Sequence, residues 1–182
     1  MKRYFAFLAV LTLTFCTSSA RGAPQHPYAG LFVDEYHMSM VAVYTPPDTA
    51  FAMWIWWLPS EAGMRGVEFQ ILYPSNVGAS PPIHHDNIYM ILGSLSGGAK
   101  AYYIDCQSDW VWVCHQPCVT TGAAPSMIQI VAYPGEAAVK TSTCQSGYPF
   151  VDTTVLCNIY VNQCAFFGVE RSSWGAIKSL YR

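Results

Sequence analysis

The side chains best suited to chemistry in this sequence are the adjacent His84 and His85, which Asp86 follows in the segment IHHDN. In a loop, both imidazoles and the carboxylate could reach one metal ion, because these groups are common metal ligands. On a strand, the two histidines would instead point to opposite faces. A solvated loop is the simpler interpretation, so the sequence predicts no metal site here.

Two familiar catalytic arrangements are missing from the sequence. The segment GSLSG, residues 93–97, has Leu95 where the nucleophile elbow of a hydrolase needs serine. Glycoside hydrolysis needs two carboxyl groups about 5–10 Å apart in a cleft. The near pairs of acids are Asp34 with Glu35 and Asp105 with Asp109, at expected strand ends or turns. We therefore expect a protein that is not an enzyme and has no catalytic residues.

Calcium is the one cofactor that the sequence leaves open. Loop carboxylates such as those of Asp34, Glu35 or Asp86 could contribute oxygen ligands to a structural ion. No D-x-D-x-D loop supports such a site. We expect no cofactor, with structural calcium as the alternative.

The cysteines indicate an oxidising compartment. Cys16 lies in the N-terminal leader described below, and six cysteines follow it. An even number in an exported chain predicts three disulfides, for which six cysteines allow 15 connectivities. Half a zinc site at Cys114-x-x-x-Cys118 is the alternative, but His115 between them does not complete a ligand set. The predicted disulfide cysteines are Cys106, Cys114, Cys118, Cys144, Cys157 and Cys164.

The first 22 residues are typical of a secretory signal peptide. Lys2 and Arg3 precede an uncharged apolar run, which small residues around Ala20 follow. The run is shorter than the roughly 20 residues that span a bilayer, so we expect no membrane span in the mature chain. Residues 23–182 would then form one secreted, extracellular or periplasmic domain. Cleavage after Ala20 would remove Lys2 and Arg3 and leave 7 cations against 11 acids, which argues against a nucleic-acid partner.

The most unusual segment is FAMWIWWLP, residues 51–59, which carries three of the six tryptophans. On a strand, Phe51, Met53, Ile55 and Trp57 would share one face, and Trp54 and Trp56 the other. In the segment DWVWVC, the same rule places Trp110, Trp112 and Cys114 on one face.

If these two strands pair, the tryptophans form a single aromatic surface. Three interpretations stay open: a second small core, a platform for sugar rings, and an interface between subunits. The candidate contacts are Trp54, Trp56, Trp110 and Trp112.

Short apolar runs separated by Pro, Gly, Asn and Asp predict an all-β, antiparallel sandwich. The segment GVEFQIL alternates most clearly, with Glu68 and Gln70 on a solvated face. Near the C-terminus, Trp174, Ile177 and either Leu180 or Tyr181 share one stripe, which predicts a short helix at about 173–181. The predicted strands are Ala29–Val33, Met38–Tyr44, Ala50–Leu58, Gly66–Leu72, Asn87–Leu92, Ala99–Ile104, Trp110–Cys114, Ile128–Ala132, Thr154–Val161 and Ala165–Val169.

The segment AFAMWIWWLPSEAGMRGVEFQILYPSNV, residues 50–77, resembles the opening of a cohesin-like domain. The likeness lies in an apolar strand that ends in a Leu-Pro turn, a Gly-Met pivot, a G-V-E-F-x-I strand and a Y-x-x-N-V turn. This resemblance implies a jelly-roll sandwich shared with carbohydrate-binding modules, in which the two strands are neighbours. DCQSDWVWV, CQSGYP, IYVNQC and SWGAIKSLYR are also similar to segments of uncharacterised secreted bacterial proteins with the same kind of tail.

The sequence thus favours a non-catalytic extracellular module that recognises a glycan or a protein at the cell surface. The alternative is a self-assembling subunit of a filament or surface layer. Such a subunit would use the same aromatic side chains and pair the segment APQHPYAGLF with a neighbouring copy by strand addition.

Overall fold

The computed structural model describes residues 24–39 and 48–162, and within these ranges the chain is all β. Apolar runs of alternating burial form the long strands, and Pro, Gly and Asn residues separate them. The strands are β1 (Tyr28–Phe32), β2 (Ala50–Leu58), β3 (Met64–Leu72), β4 (Val77–Ala79), β5 (Ile83–His84), β6 (Ile88–Ser94), β7 (Gly98–Gln107), β8 (Val111–Thr120), β9 (Ser126–Val131), β10 (Lys140–Ser142), β11 (Phe150–Asp152), β12 (Thr154–Cys157) and β13 (Ile159–Val161).

The strands form two sheets. The first sheet has the order β12-β1-β2-β8-β4, and β5 also pairs with β8. The second has the order β11-β10-β3-β7-β6. Beyond the end of β10, the same edge of β3 pairs with β9, and β9 pairs in turn with β13. Among the pairs within the described residues, β1 with β12 is parallel and the rest are antiparallel.

The core lies between the two sheets. Trp57 of β2 is fully buried, and its ring centroid lies 5.4 Å from that of Phe69 on β3. The indole Nε1–H of Trp57 also donates to Thr141 Oγ1 of β10 at 2.8 Å, which joins the sheets by a buried hydrogen bond. Burial of Met53, Ile55 and Trp57 confirms the predicted core face of β2.

Several strand predictions are confirmed, and one implied relation between strands is wrong. Predicted strands at Ala29–Val33, Ala50–Leu58 and Gly66–Leu72 match β1, β2 and β3 within two residues. However, β2 and β3 do not pair as neighbours, because they lie in opposite sheets and face each other across the core. Pro59 ends β2, and the turn through Gly63, with φ of +68°, carries the chain to the other sheet.

Other predictions fall outside the described residues. These are the signal peptide, the strand at Ala165–Val169, the helix at about 173–181 and most of the strand at Met38–Tyr44. The described start of that last segment, Met38 and Ser39, is not in a strand.

The predicted solvated face of β3 is largely covered. Glu68 is only 5% exposed, and its carboxylate forms an ion pair with Lys100 on β7, with Oε1 and Nζ 2.9 Å apart. The Lys100 ammonium also lies 4.5 Å from the ring centroid of Tyr133. Long neighbouring side chains therefore shield an acid that alternation alone places in water. Among the described residues, no helix is long and apolar enough to span a membrane.

Candidate functional site

The predicted pairing of the two tryptophan-rich strands is present: β2 and β8 are antiparallel neighbours in the first sheet. Trp54 lies opposite His115, Ile55 opposite Cys114 and Trp56 opposite Trp112. Val113 lies between Trp112 and Cys114 but has no partner on β2, so it is the extra residue of a β-bulge. The bulge shifts the alternation of β8 by one residue.

This shift corrects one prediction from the sequence. Cys114 faces the core with Val111 and Val113, whereas Trp112 lies on the outer face, where His115 joins it. Strict alternation places Cys114 beside Trp112, and the extra residue at Val113 separates them. The outer face therefore carries the imidazole of His115 instead of the thiol of Cys114.

We call the outer side of β1, β2 and the start of β8 the aromatic face. It contains the four predicted tryptophans, and three histidines contact them. Its members are Trp54, Trp56, Trp110, Trp112, His37, His85 and His115.

One half of the aromatic face is centred on His115. The His115 imidazole stacks on the Trp54 indole, with ring centroids 4.4 Å apart and planes 20° apart. Trp112 meets Trp54 edge-on at 5.4 Å, and His85 meets Trp112 at 4.7 Å. Trp54, Trp112 and His115 are all half-buried. This half therefore presents partly exposed rings held in fixed orientations by one another.

The other half is a small second core. His37, in the loop after β1, stacks on Trp110 with centroids 4.7 Å apart and contacts Trp56 at 4.6 Å. Phe32, which contacts His37 and Trp110, is only 2% exposed. Burial lowers the pKa of His37, against the opposing effect of the Asp34 and Asp109 carboxylates. A neutral imidazole suits a site between two indoles.

The side chains of His84 and His85 point in different directions, as expected of adjacent residues at the end of a strand. His85 lies on the aromatic face, and its Nδ1 accepts a hydrogen bond from the Asn87 backbone N–H at 3.0 Å. His84 lines a cavity between the sheets, and its Nδ1 is buried with no hydrogen-bond partner among the described residues. The two imidazoles therefore do not converge with Asp86 on one metal ion.

The inter-sheet cavity has a volume of about 640 Å³ and lies where β4 and β5 of the first sheet approach β6 and β7 of the second. Val77, Ser80 and His84 line it from the first sheet, and Ile91 and Leu95 from the second. Tyr73 also lines it, and its hydroxyl donates to Gln116 Oε1. Within residues 24–39 and 48–162, no Asp, Glu, Lys or Arg side chain lines the cavity.

The cysteines differ from the predicted three disulfides. Cys106 and Cys144 form a disulfide, with Cα atoms 5.9 Å apart. Cys114, Cys118 and Cys157 are buried thiols, and burial raises the pKa of each to about 12. Cys164 lies outside the described residues.

Geometry explains why these thiols do not pair with one another. Cys114 and Cys118 are four residues apart on one strand, roughly 13 Å at strand spacing, which exceeds the roughly 7 Å limit between Cα atoms in a disulfide. Cys157 pairs in register with Gly30, three strands away from β8. Its Sγ lies on the outer side of the sheet and donates to the Leu31 carbonyl at 3.3 Å.

The acids proposed as calcium ligands either form other hydrogen bonds or are not grouped with further metal ligands. The Asp34 carboxylate accepts hydrogen bonds from the backbone N–H groups of Tyr36, Met38 and Ser39, which close the loop that carries His37. Within residues 24–39 and 48–162, no three His, Cys, Asp or Glu side chains are grouped to hold a metal ion. Structural calcium stays a prediction.

The sequence predicted the four tryptophans of the aromatic face but missed the three histidines and the cavity. His115 was missed because strict alternation from Trp112 places it on the opposite face, and the bulge at Val113 reverses this. His37 and the cavity wall belong to loops, whose approach to distant strands carries no periodic signal.

No protein-family model matches this sequence, and no curated protein matches it. Among solved structures, the sixth cohesin of scaffoldin B from Acetivibrio cellulolyticus, in complex with a Cel5 dockerin mutant, matches with a TM-score of 0.52 and 12% identity. The match covers 75% of this chain and 98% of that one.

A Coh-OlpC-Doc435 cohesin–dockerin complex from Clostridium thermocellum matches with a TM-score of 0.53 and 10% identity, over 78% and 96% of the two chains. The seventh ScaB type I cohesin from Pseudobacteroides cellulosolvens matches with a TM-score of 0.51 and 9% identity, over 79% and 96%. The described chain is therefore a cohesin-like β-sandwich, as the sequence resemblance implied, and the likeness concerns the fold.

Proposed function

We propose that this chain is an exported, non-catalytic recognition module that binds another protein through the aromatic face. The observation that carries the proposal is the half-exposed cluster of Trp54, Trp112 and His115, in which the rings are already fixed by stacking. Rings ordered before binding lose little side-chain entropy when a partner covers them. Tryptophan is also the residue type most enriched at the centres of protein interfaces.

A protein partner fits this face better than a sugar does. A sugar platform needs an open indole face, whereas one face of Trp54 is covered by His115 and one face of Trp110 by His37. The edges of Trp112 and the imidazoles of His85 and His115 instead form an uneven surface of rings and ring nitrogens. Two of the solved cohesin structures with this fold were determined with a protein, the dockerin, bound.

Export is supported by the leader-like N-terminus and by the Cys106–Cys144 disulfide, a bond that persists in oxidising compartments. The low number of charged residues leaves apolar and aromatic contacts to supply the binding energy.

The proposal is tested with purified mature protein immobilised and exposed to the envelope and secreted fractions of its source cells. A retained protein is identified by mass spectrometry, purified and titrated. We expect Trp54→Ala and Trp112→Ala each to weaken that binding by about 30-fold, because truncation of a central interface tryptophan costs about 2 kcal/mol. Tyr160→Ala, at an exposed ring elsewhere on the surface, is the matched control and should bind normally.

Three results would contradict the proposal. Equal binding by the tryptophan variants and Tyr160→Ala would place the interface elsewhere. Tryptophan-dependent binding to a glycan array, without a protein partner, would favour carbohydrate recognition. Concentration-dependent association of the protein with itself in sedimentation experiments, abolished by Trp112→Ala, would favour the self-assembling subunit.

A further inference from the structure

The inter-sheet cavity is a feature that the proposed function leaves without a role. Its volume of about 640 Å³ falls within the range of roughly 300–1,000 Å³ that is usual for ligand pockets. It lies between one edge of each sheet. In the second sheet the edge strand is β6, and in the first sheet the edge consists of β4 and β5, which both pair with β8. Neither edge pairs with a further strand of the described chain.

The lining is apolar with a few polar groups, and it carries no charge. Ile91, Leu95 and Val77 supply apolar surface. His84 Nδ1 is buried without a hydrogen-bond partner, and a buried polar atom of this kind costs free energy unless a donor reaches it. Burial lowers the pKa of His84, so its imidazole is neutral near pH 7 and offers one acceptor nitrogen. The cavity therefore suits an apolar group that carries a neutral donor.

The described chain ends beside this cavity. The side-chain amide of Asn162 donates to the carbonyls of Gly122 and Ala124 at 2.7 and 3.3 Å. The amide of Asn76 donates to the same Ala124 carbonyl at 2.7 Å. The two amide nitrogens are thus within about 6 Å of each other, and Asn76 directly precedes the cavity residue Val77. The twenty residues after Asn162 start at the Val77 end of the cavity.

Those residues have the chemistry that the cavity needs. The segment SSWGAIKSLYR places Trp174, Ile177 and Leu180 at spacings of three, on one stripe of a predicted helix. The Trp174 indole supplies a large apolar surface and a neutral N–H donor, the group that His84 Nδ1 lacks. The eleven residues between Asn162 and Trp174 are ample to span the length of the cavity wall.

We propose that the C-terminal segment 172–182 of this chain packs into the inter-sheet cavity and places the Trp174 side chain between β4–β5 and the β6–β7 hairpin. With segment 172–182 in the cavity, the aromatic face remains free for a partner. The cavity and the aromatic face therefore have different roles.

The cavity is a better receptor for this segment than the aromatic face. The rings of the aromatic face already contact one another. Both places hold a buried ring nitrogen without a partner among the described residues, Trp56 Nε1 on the aromatic face and His84 Nδ1 at the cavity. Trp56 Nε1–H is itself a donor, which the Trp174 N–H cannot satisfy, whereas His84 Nδ1 can accept from it.

A photo-cross-linking experiment on the full mature chain tests the proposal directly. p-Benzoylphenylalanine replaces Trp174, the protein is irradiated, and cross-linked peptides are mapped by mass spectrometry. We expect intramolecular cross-links to residues 77–84 and 91–96 in the monomer. The same replacement at Ser179, which lies on the opposite side of the predicted helix from Trp174, should cross-link to these segments at most one tenth as often.

Cross-links from position 174 to Trp54, Trp112 or His115 would overturn the proposal, because the segment would then cover the aromatic face. Cross-links found only in a dimer band would also overturn it, because the occupant would be the segment of a second copy.

Hydrogen exchange provides a second measurement that does not depend on the probe. In Trp174→Ala, backbone amides of residues 77–84 and 91–96 should exchange about tenfold faster than in the unaltered protein, while Ser179→Ala, on the opposite side of the predicted helix, should leave them unchanged. Trp174→Ala removes one side chain and keeps the described sandwich, so unchanged exchange at both segments would contradict the proposal. Far-ultraviolet circular dichroism checks that each variant is folded.

Discussion

At the scale of single residues, Trp54 and Trp57 show how position on a strand decides the role of a side chain. They are three residues apart on β2 and have the same chemistry. Trp57 points into the core, is fully buried and bonds to Thr141, which in turn shares a hydrogen bond of 2.7 Å with Thr153. Trp54 points outward, is half-buried and stacks on His115. The first stabilises the fold, and the second is available to a partner.

We therefore expect Trp57→Phe to lower the free energy of unfolding by about 2–3 kcal/mol, through a void in the core and the loss of the indole hydrogen bond. The matched variant Trp54→Phe should lower it by less than about 1 kcal/mol, because the larger share of its ring surface is outside the core. Urea denaturation followed by circular dichroism measures both values. Equal losses in the two variants would contradict the assignment of the two faces.

At the scale of strands and turns, the regular alternation of inward and outward side chains could be predicted from the sequence, but the interruptions of that alternation could not. The core face of β2 follows directly from its sequence. The bulge at Val113, which exchanges Cys114 for His115 on the outer face, depends on how β8 pairs with β2 and has no signal in the sequence of β8 alone. The three-residue strands β4, β10 and β11 were likewise not predicted, since three residues are too few to show a period.

The turn between β2 and β3 supports a prediction at this scale. Gly63 has φ of +68°, and a Cβ added there would lie 2.5 Å from Cys106 Sγ of the disulfide. Gly63→Ala should lower the free energy of unfolding by more than about 2 kcal/mol, since the backbone strain adds to a steric clash. Thermal unfolding provides the measurement.

Two other glycines serve as graded controls for this turn. Gly135 has φ of +89° but no atom within 4 Å of an added Cβ, so Gly135→Ala should cost only the backbone strain, about 1 kcal/mol. An added Cβ at Gly122 would have its nearest atom at 3.6 Å, with no positive φ, so Gly122→Ala should have little effect. A loss at Gly63 no greater than that at Gly135 would show that the disulfide does not restrict the turn.

At the scale of the whole molecule, the sandwich holds two histidines whose pKa is lowered by burial, on opposite sides of the first sheet. His37 is packed between Trp56 and Trp110 outside the sheet, and His84 lines the cavity inside it. The sequence places His84 in a loop or on a strand and predicts no environment for His37. It could not predict that each would be desolvated, because desolvation depends on segments that lie far away in the chain.

These two groups predict a stability that declines in mild acid. Above the ordinary histidine pKa of about 6.5, both imidazoles are neutral in the folded and the unfolded chain, so they have no effect on stability. As the pH falls below that value, the unfolded chain binds protons first, because the folded pKa of each is lower. Between pH 7 and pH 5.5, the free energy of unfolding should therefore fall.

Urea denaturation at half-unit pH intervals measures this decline, and a variant carrying His37→Gln and His84→Gln should flatten it. The exposed carboxylate of Glu136 also has a lowered pKa, owing to its hydrogen bond with Lys140, but its effect is lost only as the pH falls below about 4.5. The two contributions are thus separated by pH. A decline between pH 7 and pH 5.5 that persists in the double variant would show that groups other than His37 and His84 cause it.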